Sequence, residues 1–261
     1  MRRLILSLTA AAGPPLAVFG LVLLLWHAAV VALDLKPYVL PDPLRVGRAV
    51  VDHLPALLGA TFLTGLGALA GFILSFAVGF AVALVFSQSR VVARSLYPYA
   101  IFLQTVPIVA VAPLVILWIG HGFPGVVAVS FIIALFPIIA NTTTGLTSVD
   151  PNLLDLFALN NASRWQVLAG LRIPNAVPHM LTGAKISSGL SAIGAIVGEF
   201  FAGYGTEEFG LGYLIILTNG QAKTDYLFAC ILFCTLLGLS IFASVSLLSQ
   251  LLLARWGGES E

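Results

Sequence analysis

Few residues in this chain could do chemistry, and their spacing rules most of it out. The four histidines, His27, His53, His121 and His179, fall in four separate places, and none has a carboxylate or cysteine at metal-ligand spacing, so no metal site is expected. Cys230 and Cys234 stand one helical turn apart inside an apolar run, where thiols pack as small apolar groups. No Ser–His–Asp set and no working pair of carboxylates can be assembled, so an intramembrane enzyme would lack its nucleophile. A phosphate-binding loop needs Gly-x-x-x-x-Gly-Lys-Ser/Thr; the one Lys-Thr pair, Lys223-Thr224, has no glycine before the lysine. No cofactor is implied. What remains is Glu199, between Gly198 and Phe200 near the end of an apolar run. An acid at that depth is costly and faces a protein interior or a cavity. If the run ends earlier, Glu199 is instead an ordinary interfacial charge. Gln104 and Thr105, a polar pair beside Pro107, are further candidates for the same cavity.

The elements that must hold these residues follow from composition. Of 261 residues 59% are apolar and 9% charged, and the mean hydropathy is +1.05. A soluble domain carries about 25% charged residues because its surface must be solvated. Twelve basic and eleven acidic residues cannot cover such a surface, and a net charge of +1 offers no excess for a polyanion. Soluble enzyme, nucleic-acid binder and disordered chain are excluded. Membrane lipid is the natural surrounding.

Neutral runs fill 14–33, 54–89, 95–149, 186–198 and 226–254. A helix crosses the hydrocarbon in about 20 residues, and the long third run divides at the polar Gly120–Gly125. The expected fold is all-α and polytopic, a single domain over 1–261 with about six transmembrane helices at 14–33, 60–86, 97–119, 123–145, 181–202 and 226–253. A cleaved signal peptide is the competing reading of the first span, but its apolar run exceeds the usual ~7–15 residues and no small-x-small site follows. With the N-terminus inside, Arg2, Arg3, Arg90, Arg94, Arg164, Arg172, Lys185 and Arg255 lie on the cytoplasmic side, against Lys36, Arg45, Arg48 and Lys223 outside. The excess of cations marks the cytoplasm and predicts both termini there.

Within the spans, small residues recur every four positions: Gly67, Gly71, Ser75, Gly79 and Ala83 in the second, and Gly183, Ser187, Ser191 and Ala195 in the fifth, with Gly194 and Gly198 alongside. Such rows let helices approach closely in lipid, where little hydrophobic drive joins them. Pro107 and Pro113 in the third span and Pro137 in the fourth free backbone carbonyls that need protein or water beside them. They suit a transport path and plain packing equally. The first outer segment opens on Pro37, Pro41 and Pro43; its Leu44, Val50, Val51 and Leu54 alternate with Arg45, Arg48 and Asp52, as in an interfacial helix. A simple connector is the other reading.

The cytoplasmic loop 148–179 is the most informative stretch. Asp150 is a good N-cap and Pro151 fits the first helical position, giving a helix of about two turns that shows Leu153, Leu154 and Phe157 and ends near Asn160-Asn161. Ser163-Arg164-Trp165-Gln166 fits a capping box, starting a second helix that shows Trp165 and Leu168 and stops at Pro174. Helices this short are unstable alone in water. They must lie on the membrane interface or be buried by another subunit.

These residues resemble the signature loop of the membrane subunits of binding-protein-dependent ABC importers, which reads Glu-Ala-Ala, three residues, Gly, nine residues, Ile, any residue, Leu-Pro. Asp155-Leu156-Phe157 stands at the first position, Asn161 at the Gly, Leu171 at the Ile and Ile173-Pro174 at the Leu-Pro. The spacing agrees throughout; Asp replaces Glu, two alanines are larger, and Asn replaces Gly, the commonest exchange that keeps a left-handed turn. Ala162–Gln166, Pro178, Gly183-Ala184-Lys185, Val197–Phe200, Gly210–Ile215 and Leu40–Pro43 resemble the nitrate/sulfonate/taurine branch, so the likeness runs from about residue 40 to 242. It implies a type I importer permease in a bacterial inner membrane that carries no ATPase site itself. Its implied partners are a second copy of this subunit, cytoplasmic ATP-binding subunits and a periplasmic or lipid-tethered solute-binding protein. The implied mechanism is alternating access, for a small solute of the sulfonate or taurine, nitrate, or vitamin and pyrimidine-precursor classes. Asp155, Phe157, Asn161, Ser163, Arg164, Trp165 and Pro174 would form the coupling loop, and Glu199, Gln104 and Thr105 the pathway or its gate. Glu207, Glu208 and Asp225 either meet the binding protein or form a solvated loop. An ion-coupled secondary transporter is the alternative; it would show paired repeat halves and more intramembrane ions.

Overall fold

The computed structural model describes residues 2–202 and 210–256, and every regular element among them is helical. Glu207 and Glu208 lie outside the described residues. In chain order the helices are α1 (Arg2–Ala32), α2 (Pro43–Asp52), α3 (Leu54–Gln88), α4 (Arg90–Thr105), α5 (Ile108–Ile119), α6 (Phe123–Thr147), α7 (Pro151–Leu159), α8 (Arg164–Val167), α9 (Ile173–Ala202), α10 (Leu211–Gly220) and α11 (Thr224–Trp256). Among the described residues five stretches are long and apolar enough to cross a membrane: Gly13–Ala32, Leu54–Gln88, Phe123–Thr147, Arg164–Ala202 and Thr224–Ala254.

The expected third span, 97–119, is not one kinked helix. It breaks into α4 and α5 at Val106-Pro107. A proline restricts the residue before it to extended backbone and brings no N–H. Val106 is extended accordingly, at φ −71° and ψ 125°, and its own N–H closes α4 on the Phe102 carbonyl. Pro113 and Pro137, by contrast, stay inside α5 and α6.

The chain forms two compact units, Met1–Leu58 with Leu214–Leu232, and Gly59–Tyr213 with Phe233–Glu261. In the first, Asp42 caps α2 by accepting the Leu44 N–H at 2.8 Å, and its other oxygen lies 2.7 Å from His27 Nδ1 on α1. The segment before α2 is therefore a true helix start. α2 buries Val46 and Ala49 and leaves Leu44 and Val51 exposed. Trp26 packs on Phe228, with ring centroids 5.7 Å apart, and His53 stacks on Tyr226 at 4.0 Å.

In the second unit α6 lies between the two small-residue rows. A Cβ on Gly67 would come within 2.9 Å of Val126, one on Gly79 within 2.8 Å of Ile138, and one on Gly71 would overlap Ser130. From α9, a Cβ on Gly183 would sit 2.8 Å from the Pro137 carbonyl and one on Gly194 2.7 Å from Ser130 Cα. Hydroxyls reinforce this second seam: Ser130 donates to the Ser191 carbonyl at 2.9 Å and Ser187 to the Ala134 carbonyl at 2.6 Å. Both rows thus work as the seams expected of helices in lipid, and both close on one helix.

Candidate functional site

The loop after α6 is built by its caps. Asp150 accepts the Asn152 N–H at 2.9 Å, which starts α7. Asn161 then turns the chain with φ +51°, a left-handed conformation that Asn tolerates better than other non-glycine residues. Ser163 and Gln166 form the reciprocal capping box: the Ser163 N–H donates to Gln166 Oε1 at 2.7 Å and the Gln166 N–H to Ser163 Oγ at 3.3 Å.

Pro174 does not stop the second helix. Residues Leu168–Arg172 widen into a π turn, with the Ile173 N–H reaching back five residues to the Leu168 carbonyl. The wider turn relieves the clash a proline ring makes with the carbonyl four residues before it. Arg164–Ala202 consequently continues from the loop into the membrane as one helical run.

The faces also differ from expectation. Leu168 is buried, packed with Ala83 of α3, Leu146 of α6 and Ala176 of α9. Phe157 is half-buried and its ring lies where a Cβ on Gly170 would touch it, at 3.5 Å. Leu154 is likewise half-buried. The side left open carries Leu153, Leu156, Leu159 and Trp165, the last two 81% and 78% exposed. Asp155 and Arg164 are exposed as well, and Pro174 is half-buried. Polar ties fasten the loop to the ends of two other helices. Arg172 Nη1 donates to the Ser87 carbonyl near the end of α3 at 2.9 Å, and Asn175 Nδ2 to the Gly145 carbonyl near the end of α6 at 2.8 Å.

Glu199 is buried, and one of its carboxyl oxygens is engaged twice. Its Oε2 accepts the Gly212 N–H at 2.8 Å and lies 3.0 Å from the Thr64 hydroxyl of α3, which in turn accepts the Leu211 N–H at 2.9 Å. The first amides of a helix have no partner within it. Here α3 and α9 each supply a side chain to the first amides of α10. The glycines on either side of Leu211 make room, since a Cβ on Gly210 would overlap the Glu199 carboxyl and one on Gly212 would overlap the Ile196 carbonyl. Thr64 was not among the residues singled out from sequence: a threonine in an apolar run carries no signal, and its partner is 135 positions away.

Gln104 and Thr105 do not join Glu199. They line a separate pocket of about 340 Å3 at the α4–α5 break, with Pro107 of that break, Phe136 and Pro137 of α6, and Leu190 of α9. No group of three or more His, Cys, Asp or Glu gathers among the described residues.

Comparisons with known proteins agree with this architecture. The family described as binding-protein-dependent transport system inner membrane component matches residues 67–257. A probable ABC transporter permease protein of Haemophilus influenzae is 32% identical over 231 residues, 88% of this chain and 93% of the relative. The formylaminopyrimidine transport permease protein ThiX of Halalkalibacterium halodurans is also 32% identical, over 92% of this chain and 94% of its own length. Among solved structures, the MetNI methionine ABC transporter in inward-facing conformations superposes with a TM-score of 0.64 at 13% identity, over 76% of this chain and 97% of that one, a likeness of fold alone.

Proposed function

Since the chain belongs to the family of binding-protein-dependent transport system inner membrane components and is the transmembrane subunit of an ABC importer, we propose that its 148–179 loop is the handle by which separate cytoplasmic ATPase subunits move it. Ion-coupled secondary transport is set aside with that membership. The reading rests on the open apolar stripe of Leu153, Leu156, Leu159 and Trp165, displayed on two deliberately capped helices. An amphipathic helix of this kind lays its apolar face in a groove of a partner. Asp155, Ser163 and Arg164 flank the stripe, Asn161 sets the angle between the helices, and Phe157 and Pro174 hold the inner side.

The mechanism then follows from what lies beneath. Leu168 and Arg172 join the loop to α3, α6 and α9, so a shift of the docked stripe reaches three helices through packed atoms. Alternating access requires two states in which the loop stays docked while the helices above it repack. In this proposal two copies of the chain form the pathway, both termini and the loop face the cytoplasm, and an external binding protein delivers a small solute. Gln104 and Thr105 line that pathway. Glu199 acts on it indirectly, by holding the start of α10 against α3 and α9.

The test is co-expression with the ATPase subunit. Trp165→Ala and Leu159→Glu should each abolish ATPase co-purification while the permease still extracts and elutes as the wild type does. Retention of the ATPase by both variants overturns the assignment of the loop.

A further inference from the structure

The pocket at the α4–α5 break is walled by apolar side chains and a few neutral polar ones. Its described lining carries no charged side chain. The nearest cation along α9, Lys185, stands five positions before Leu190, about 7.5 Å away along the axis, and does not line the pocket. The pocket opens on the side of Gln104 and Thr105, both exposed, and an anion seated against its neutral, largely apolar wall would find no counter-charge there to offset the water it gives up.

Neutral polar groups, in contrast, are available at the wall. Pro137 has no N–H, so the Ile133 carbonyl, four residues earlier on the same wall, lacks its helix donor. Gln104 presents an amide that bonds to no other described group, offering both donor and acceptor. The Thr105 hydroxyl spends its hydrogen on the Phe102 carbonyl at 2.9 Å and keeps lone pairs free to accept. Phe136 supplies an aromatic face, which favours stacked or edge-on rings. The volume, about 340 Å3, is at the small end of the ~300–1,000 Å3 typical of small-molecule pockets.

We propose that this pocket binds a small, neutral, ring-bearing solute with amide-like donors and acceptors, and does not bind nitrate or a sulfonate. The proposal rests on the reading of Gln104 and Thr105 as pathway residues and narrows the solute to one of the classes that reading leaves open. Ring nitrogens or an exocyclic amine would meet the Gln104 amide and the Ile133 carbonyl, while the ring lies against Phe136.

The test uses the full-length chain, co-assembled with its ATPase subunits in nanodiscs, as Thr105→Cys with Cys230→Ala and Cys234→Ala. A small methanethiosulfonate reagent should modify the new thiol. Millimolar cytosine should slow that reaction about threefold or more, as occupancy by a probe at twice its dissociation constant would, whereas nitrate and taurine should leave the rate unchanged. A companion Gln104→Arg variant should lose protection by cytosine and gain protection by nitrate. Protection by nitrate or taurine in the parent, or by no probe at all, overturns the solute class while leaving the pathway reading in place. A thiol unreactive both with and without ATP overturns the pathway reading, and this proposal with it.

Discussion

Thr64 and Glu199, 135 positions apart, meet at 3.0 Å and together hold the first two amides of α10. Each of the three groups satisfies a need of the others: an acid too costly to leave alone in lipid, a hydroxyl, and helix amides without partners. Thr64→Val should therefore destabilise the purified protein by about 1 kcal/mol, within the ~0.6–1.7 found for hydrogen bonds between helices in membranes. Glu199→Gln, which keeps an acceptor for Gly212, should cost less than Glu199→Ala. Gly210→Ala should cost more than Thr64→Val, because its methyl group would fall on the carboxyl itself. Thermal melting in detergent orders the four variants; an equal melting point for Glu199→Ala and wild type would mean the clasp carries no load.

The seams on α6 allow a sharper comparison of glycines. Gly71→Ala and Gly194→Ala drive a methyl into Ser130, on the α3 and α9 sides in turn, and overpacking of this kind costs about 1–3 kcal/mol. Gly59 and Gly189 have open space where a Cβ would stand, so alanine there should be neutral or stabilise by up to about 1 kcal/mol through helix propensity. Melting curves of the four variants check this directly. Equal losses at all four positions would show that the glycines act through the backbone rather than through packing.

These seams and the caps were legible beforehand because both are local patterns: a four-residue period in one case, an Asp-Pro or a Ser-x-x-Gln in the other. What depended on distant neighbours was not. Leucines and a phenylalanine surround most of α7, so periodicity alone could not choose its inner side; the Phe157 ring faces Gly170, while Leu156 stays exposed. Two prolines depart from expectation in opposite directions. Pro174 is tolerated because a π turn precedes it, while Pro107 splits an apolar run long enough to read as one span.

Arg172 offers a way to test docking apart from transmission. Its guanidinium holds the Ser87 carbonyl from below the apolar stripe that the ATPase would grip. Arg172→Met keeps the aliphatic stem and removes the donor. The expected outcome is normal ATPase co-purification with a several-fold loss of solute-dependent ATP hydrolysis and uptake. Arg172→Lys, which can still donate one bond to the carbonyl, should retain part of both. If Arg172→Met instead releases the ATPase, the side chain belongs to the docking surface and the tie to α3 is incidental.

The cap of α2 gives a prediction in pH. Asp42 is held below the ordinary carboxylate value near 3.8, first by the Leu44 N–H and then by the His27 ring beside it, with Arg45 adding a smaller pull. A carboxylate whose folded value is depressed stabilises the fold at every pH above its unfolded value, and loses that contribution as pH falls through the folded one. Hydrogen exchange of the α2 amides, corrected for intrinsic rate, should therefore be flat with respect to Asp42 between about pH 5 and 8, and rise only below the ordinary carboxylate range. Asp42→Asn retains an acceptor for Leu44 and should keep most of the protection at neutral pH, since Asn caps nearly as well as Asp. Asp42→Ala should lose it, and its difference from wild type should vanish in acid. If Asp42→Asn exchanges as fast as Asp42→Ala at neutral pH, the contact with His27, and not the cap, is what anchors α2.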